Sequence, residues 1–95
     1  GKTAETVAEK FSQIAKNVQV IAISHLPQIV SFSDASFKIS KYSTEEKTFT
    51  AIEKLDSNGK IEEIVRLVGG DMSSSSAVNH AKEMIDKAVL YKKSI

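Results

Sequence analysis

The sequence has no cysteine, no tryptophan and a single proline, and aromatic residues make up only 6% of its 95 positions. Without cysteine there is neither a disulfide framework nor a thiolate ligand for a metal, which fits a reducing compartment. Glycine is also scarce, at 4 residues, so the chain is poor in the loops that cradle phosphates through their backbone amides. Gly1, Lys2 and Thr3 match only the end of the phosphate-loop pattern G-x-x-x-x-G-K-[ST]. The first glycine, the cradle and the preceding strand are missing, and Lys2 is not assigned to phosphate. No apolar run approaches the roughly 20 residues that span a bilayer, and no basic region followed by a secretory apolar segment opens the chain. Neither sign of charge dominates: 13 basic and 12 acidic side chains leave a net charge of +1. The lysines are scattered and form no basic stripe, so direct nucleic-acid binding by this segment has little support. A soluble, cytoplasmic chain with no membrane partner is expected.

What is present is 41% apolar residues and 26% charge, enough for one small domain over residues 1–95, at the lower end of the size that buries its own core. Its organising stretch is Gln19 to Gln28, Gln-Val-Ile-Ala-Ile-Ser-His-Leu-Pro-Gln. Val18, Val20, Ile21, Ala22 and Ile23 form a short, mostly β-branched run, the pattern of a strand covered on both faces and hence of a parallel sheet. Ligands of open α/β sheets gather beyond the carboxyl ends of such strands, and His25 lies two residues past this one. Pro27 cannot extend a ladder but suits the first turn of a helix.

On either side the periodicity is clear. Ala4, Val7, Ala8, Phe11, Ile14 and Ala15 predict an amphipathic helix from Thr3, as N-cap, to Lys16. A short helix is expected over Pro27 to Phe32. Ala35, Phe37 and Ile39 then alternate with Ser36, Lys38 and Ser40, the period of a strand with one polar face. Ser43 to Glu46 is a hairpin loop, with Thr48 to Leu55 returning antiparallel. Asp56 to Gly59 offers helix caps before the stripe Ile61, Ile64, Val65 and Val68, which Gly69 and Gly70 stop. The serines at 73–76 cap the longest helix, with Ala77, Val78, Ala81, Met84, Ile85, Ala88 and Val89 on one face. The fold class is therefore α/β: a parallel strand pair plus an antiparallel hairpin, with flanking helices.

His25 is the only residue placed for chemistry, either as a ligand contact or as a structural strand cap. His80, within the last helix, is expected to face solvent or a helix neighbour. Two histidines 55 positions apart with no fixed carboxylate spacing make no metal ligand set. Ser24 and His25, as strand-end neighbours, point in opposite directions and do not form a nucleophile and base. Without an activated nucleophile or a carboxylate pair, a free-standing hydrolase is disfavoured. Glu62 and Glu63 read as a solvated helix face, with Arg66 paired to Glu62 at i, i+4. A nucleotide-independent protein-interaction module, binding through its last helix, is the alternative to a ligand site at His25.

Three stretches, Gln19 to Gln28, Ile61 to Gly70 and His80 to Ile85, resemble the C-terminal end of the bacterial RecN family of DNA-repair ATPases, SMC-like members of the ABC superfamily. The resemblance covers nearly the whole chain. It implies part of an ATP-binding head of the P-loop NTPase type, split in the family by a long coiled coil. His25 matches the family's switch (H-loop) histidine, the catalytic group that approaches the γ-phosphate of ATP bound between two heads; Ser24 stands where threonine is usual. The family's phosphate loop, signature motif and Walker B acidic pair have no counterpart here, and the last is expected just upstream of Gly1. The resemblance thus implies a fragment: ATP and Mg²⁺ as cofactors of the full-length protein and none for the fragment, with no activity alone. Implied partners are the remainder of the head, a second head in an ATP-bridged dimer, and DNA through the full-length protein, with nucleoid association. A strand cut from its sheet also predicts that the fragment pairs with a second copy.

Overall fold

The computed structural model describes residues 2–95 and orders them as α1 (Lys2–Ala15), α2 (Pro27–Phe32), β1 (Phe37–Ser43), β2 (Thr48–Lys54), α3 (Ser57–Leu67) and α4 (Ser75–Ser94). Among the described residues, four helices and two strands make a mixed architecture, compatible with the α/β pattern. α1 packs through its small residues: Ala4, Ala8 and Ser12 are buried at spacings of four, while Val7 and Ile14 are exposed. The Ser12 hydroxyl donates to the Ala8 carbonyl at 3.0 Å, so its burial leaves no polar group unpaired. Lys2 already belongs to the helix, so Thr3 lies in its first turn instead of capping it, and Gly1 lies outside the described residues.

Two apolar clusters form the interior. Ala8, Phe32 and Ala88 pack with Ile29 and Tyr91, the Phe32 and Tyr91 rings meeting edge to face at 5.8 Å. Ile64, Val65 and Ala81 form the other cluster, joined by Val30, Val78, Met84 and Ile85. The six-residue α2 is too short to hold together by its own hydrogen bonds. It contributes to both clusters and touches α1, α3 and α4, which makes it the wedge of the helical layer.

The caps follow local chemistry. The Asp56 carboxylate accepts from the Gly59 amide at 2.7 Å to start α3, and Ser74 accepts from the Ala77 amide at 3.3 Å to start α4. Gly69 takes φ +78° beyond the end of α3. Gly70 is needed for space: a Cβ there would stand 2.9 Å from that of Ala77.

The sheet consists of β1 and β2 alone, antiparallel, with Ile39 opposite Ile52 and Tyr42 opposite Phe49. A four-residue loop joins them, closed by the Thr44 amide on the Lys47 carbonyl at 2.7 Å. The alternation at 35–40 does mark a strand, but the expected burial of one face does not occur. Every residue of both strands is exposed, Ile52 to 69%. Tyr42 and Phe49 stack at 5.2 Å and support the hairpin from within. Because the hairpin stands off the helices, the radius of gyration is 14.7 Å, against about 12 Å for a compact chain of this length.

Val18 to Ile23 forms no ladder, so the parallel pair anticipated with the Phe37 strand is not formed among the described residues. A strand buried on both faces needs partners along its edges and helices above and below. The hairpin extends away and the helices pack on one another, which leaves the segment none of these.

Candidate functional site

His25 stands at the junction between this uncovered segment and α2. On its N-terminal side Ile21 is 85% and Ile23 94% exposed. On its C-terminal side the chain is fixed within two residues. The Ser24 hydroxyl oxygen accepts from the Leu26 amide at 3.0 Å, a local turn that commits this oxygen to starting the helix. Leu26 is extended, at φ −96° and ψ 124°, and Pro27 opens the helix. The Leu26 carbonyl then accepts from the Ile29 and Val30 amides at 3.1 and 3.2 Å. His25 itself is exposed. The imidazole is thus presented to solvent at the start of a helix whose other end is anchored, an arrangement that suits contact with a ligand held by another body.

That anchoring comes from residues with no signal in the sequence. The Lys92 amine of α4 donates to the Phe32 carbonyl at 3.0 Å and to the Asp34 carboxylate at 2.9 Å. The Lys60 amine of α3 donates to the Ser33 carbonyl at 2.8 Å. Burial, and then the charge of Lys92, push the Lys60 amine below the usual lysine range, while Asp34 opposes the shift. Lysine on an amphipathic helix reads as solvated face, and the partners lie 27 and 60 positions away, so no spacing could reveal these contacts.

His80 is exposed on α4, beside an open cleft of about 320 Å³ between α1, α2 and α4. Glu5 and Lys87 form a 2.8 Å ion pair at this cleft, and His25 is not among its lining residues. A second cleft, of about 470 Å³, lies between the base of the hairpin and the start of α3, with Lys38, Glu53, Asp56, Glu62 and Arg66 on its walls. Such mixed charge favours neither an anion nor a cation. Arg66 pairs with Glu63 through both carboxylate oxygens, one contact at 3.2 Å, and Asn58 donates to Glu62 at 3.1 Å. The i, i+4 pairing expected of Arg66 with Glu62 is therefore replaced by i, i+3, which Arg66's second nitrogen makes bidentate. The hydrogen bond from Arg66 holds the Glu63 carboxyl below its ordinary range. Among the described residues no group of three His, Asp or Glu side chains could hold a metal, and no helix is long and apolar enough to cross a membrane.

No protein-family model matches the chain. Curated relatives do, over nearly all of it. A DNA repair protein RecN of Halalkalibacterium halodurans is 36% identical over 92 residues, which is 97% of this chain and 16% of the relative. The RecN of Bacillus subtilis is 32% identical over 88 residues, covering 93% and 15%. That of Haemophilus influenzae is 31% identical over 86 residues, covering 90% and 15%. The chain therefore spans about one-sixth of the length of these relatives. Similarity of this extent, sustained from the first helix through the His25 junction to the last, places the chain in the RecN family of DNA repair proteins.

Proposed function

We propose that this chain is the C-terminal part of the ATP-binding head of a RecN-like ATPase of DNA double-strand-break repair and recombination, and that it contributes the switch histidine, His25. The observation that carries the reading is the exposed His25 between an apolar segment with no covering layer and a helix pinned at its far end. In the whole protein, working in the cytoplasm at the nucleoid, Val18 to Ile23 becomes an inner strand of the parallel sheet of a P-loop NTPase-like head. His25 then reaches the γ-phosphate of ATP bound between two heads. An imidazole there accepts a hydrogen bond from the attacking water or donates one to a phosphate oxygen. Phosphoryl transfer also needs a phosphate cradle and carboxylates for Mg²⁺. Those belong to the rest of the head, as do the contacts to DNA.

On this reading the isolated chain neither binds nor hydrolyses ATP. Calorimetric titration with Mg-ATP is expected to be flat up to millimolar nucleotide. Micromolar binding would overturn the fragment reading and return attention to Gly1, Lys2 and Thr3.

The uncovered surface has a consequence for the isolated chain. Ile21 and Ile23 join Phe37, Ile39 and Ile52 as large exposed side chains, and an unpaired apolar segment and an open hairpin edge are each a template for pairing. A second copy related by a twofold axis is the simplest cover. Light scattering over a dilution series is expected to show dimer giving way to monomer, and Ile21→Lys with Ile23→Lys is expected to abolish the dimer. A folded, strictly monomeric parent at high micromolar concentration would contradict it.

A further inference from the structure

His25 is held from one side only. Before Ser24, the chain has neither ladder nor helix back to Val18; the turn from the Leu26 amide to the Ser24 hydroxyl spans His25, and Leu26 and Pro27 tie it to the start of α2. The position of the imidazole therefore follows the position of α2. Six residues bury little surface, and both ends of so short a helix expose backbone groups with no partner inside it. At the C-terminal end two amines meet those groups: Lys92 on the Phe32 carbonyl, and Lys60 on the Ser33 carbonyl just beyond. Each comes from a different helix, so together they hold the end of α2 against both α3 and α4. Positive charge at this end also complements the helix dipole, and Asp34 offsets the repulsion between the amines through its bridge to Lys92. Burial of Lys60 works against its own charge and Asp34 offsets only part of that; the amine is held by its hydrogen bond to the Ser33 carbonyl.

We propose that Lys60 and Lys92 are positioning residues for His25: by clamping the C-terminal end of α2 to α3 and α4, they set where the imidazole stands at the other end of the helix. The clamp rests on the reading of His25 as the γ-phosphate contact, and it concerns residues to which that reading gives no contact with the nucleotide or the attacking water. Contacts that orient a reacting group can cost about 10²-fold when they shift it by an ångström. A clamp on a helix that is also held by Phe32 and Ile29 has a smaller effect.

The test is a double-mutant cycle in the full-length protein that carries this segment, combining Lys60→Met and Lys92→Met with His25→Ala and measuring steady-state ATP turnover. The clamp variant is expected to lower kcat about tenfold while KM for ATP stays within about twofold. In the His25→Ala background the same changes are expected to have no further effect, because the group being positioned is gone. Lys92→Arg, which can still donate to the Phe32 carbonyl and Asp34, is expected to restore most of the loss due to Lys92→Met. Hydrogen exchange at the amides of residues 24–32 is expected to quicken in the clamp variant alone. An undiminished kcat, or a loss that adds fully to that of His25→Ala, would overturn the clamp while leaving the role of His25 standing. If His25→Ala itself leaves turnover unchanged, the reading of His25 fails and the clamp fails with it. Should the double methionine variant not fold, Lys92→Met and Lys92→Arg carry the cycle, with the same outcomes deciding it.

Discussion

Replacing His25 with alanine in the full-length protein is expected to lower ATP turnover about 10²-fold or more, while changing ATP affinity by no more than a few-fold. The asymmetry follows from where the proposed contact acts. A hydrogen bond to the attacking water or to a γ-phosphate oxygen gains strength as charge develops during transfer, so its loss is felt in the transition state more than in the bound ground state. His25 is also exposed, and it lies outside both apolar clusters. Its removal should therefore leave the unfolding midpoint unchanged, which separates loss of chemistry from loss of fold. Single-turnover hydrolysis alongside nucleotide titration would check this. Turnover equal to that of the parent would return His25 to the role of a strand cap and favour the nucleotide-independent interaction module.

Ile64→Ala is expected to destabilise the isolated chain by about 2–5 kcal/mol, the range for removing a large aliphatic side chain from a fully buried position. Ile64 has no exposed surface and is central to the cluster with Val65 and Ala81. With the hairpin fully exposed, the helical layer carries the apolar burial, and no neighbouring layer can collapse into the cavity. Domains of this size are stable by roughly 5–15 kcal/mol in total, and a loss near the middle of the expected range lowers the melting midpoint by about 14–28 °C. Val89→Ala, by contrast, trims a side chain that is 38% exposed and should cost less than about 1 kcal/mol. Thermal melts of the two variants at one fixed protein concentration make the comparison, since self-association also shifts the midpoint. Midpoints within about 2 °C of each other would show that the Ile64 cluster is not the core in solution.

Where local chemistry decides structure, the sequence was readable residue by residue. Pro27 to Phe32 forms the helix expected of it, with the proline at its start. Asp56 caps α3, Ser74 caps α4, and Gly69 adopts the left-handed conformation that ends a helix. The hairpin joins 37–43 to 48–54 around the polar cluster expected to turn it. The candidate site was legible for the same reason: an apolar β-branched run, a histidine and a proline are contiguous, so no tertiary contact is needed to bring them together.

Partners distant in the chain were a different matter. Glu62 and Glu63 both lie within reach of Arg66 on a helix, and the side-chain geometry chose Glu63. Lys60 and Lys92 have the pattern of solvated lysines, and only packing of α3 and α4 around α2 turns them into ligands for its carbonyls. Val18, Ile21, Ile23, Phe37, Ile39 and Ile52 have the composition of buried strand residues, yet they are exposed.

By itself, the sequence determined the helices, the caps of α3 and α4, the hairpin and the adjacency of His25 to Pro27, because each depends on periodicity or on residues a few positions apart. Tertiary structure alone decided which apolar faces are covered, which lysines hold α2, and that the run before His25 pairs with no strand among the described residues. Apolar pattern records a tendency to be buried, whereas burial itself requires a partner surface, and for this run none lies among the described residues.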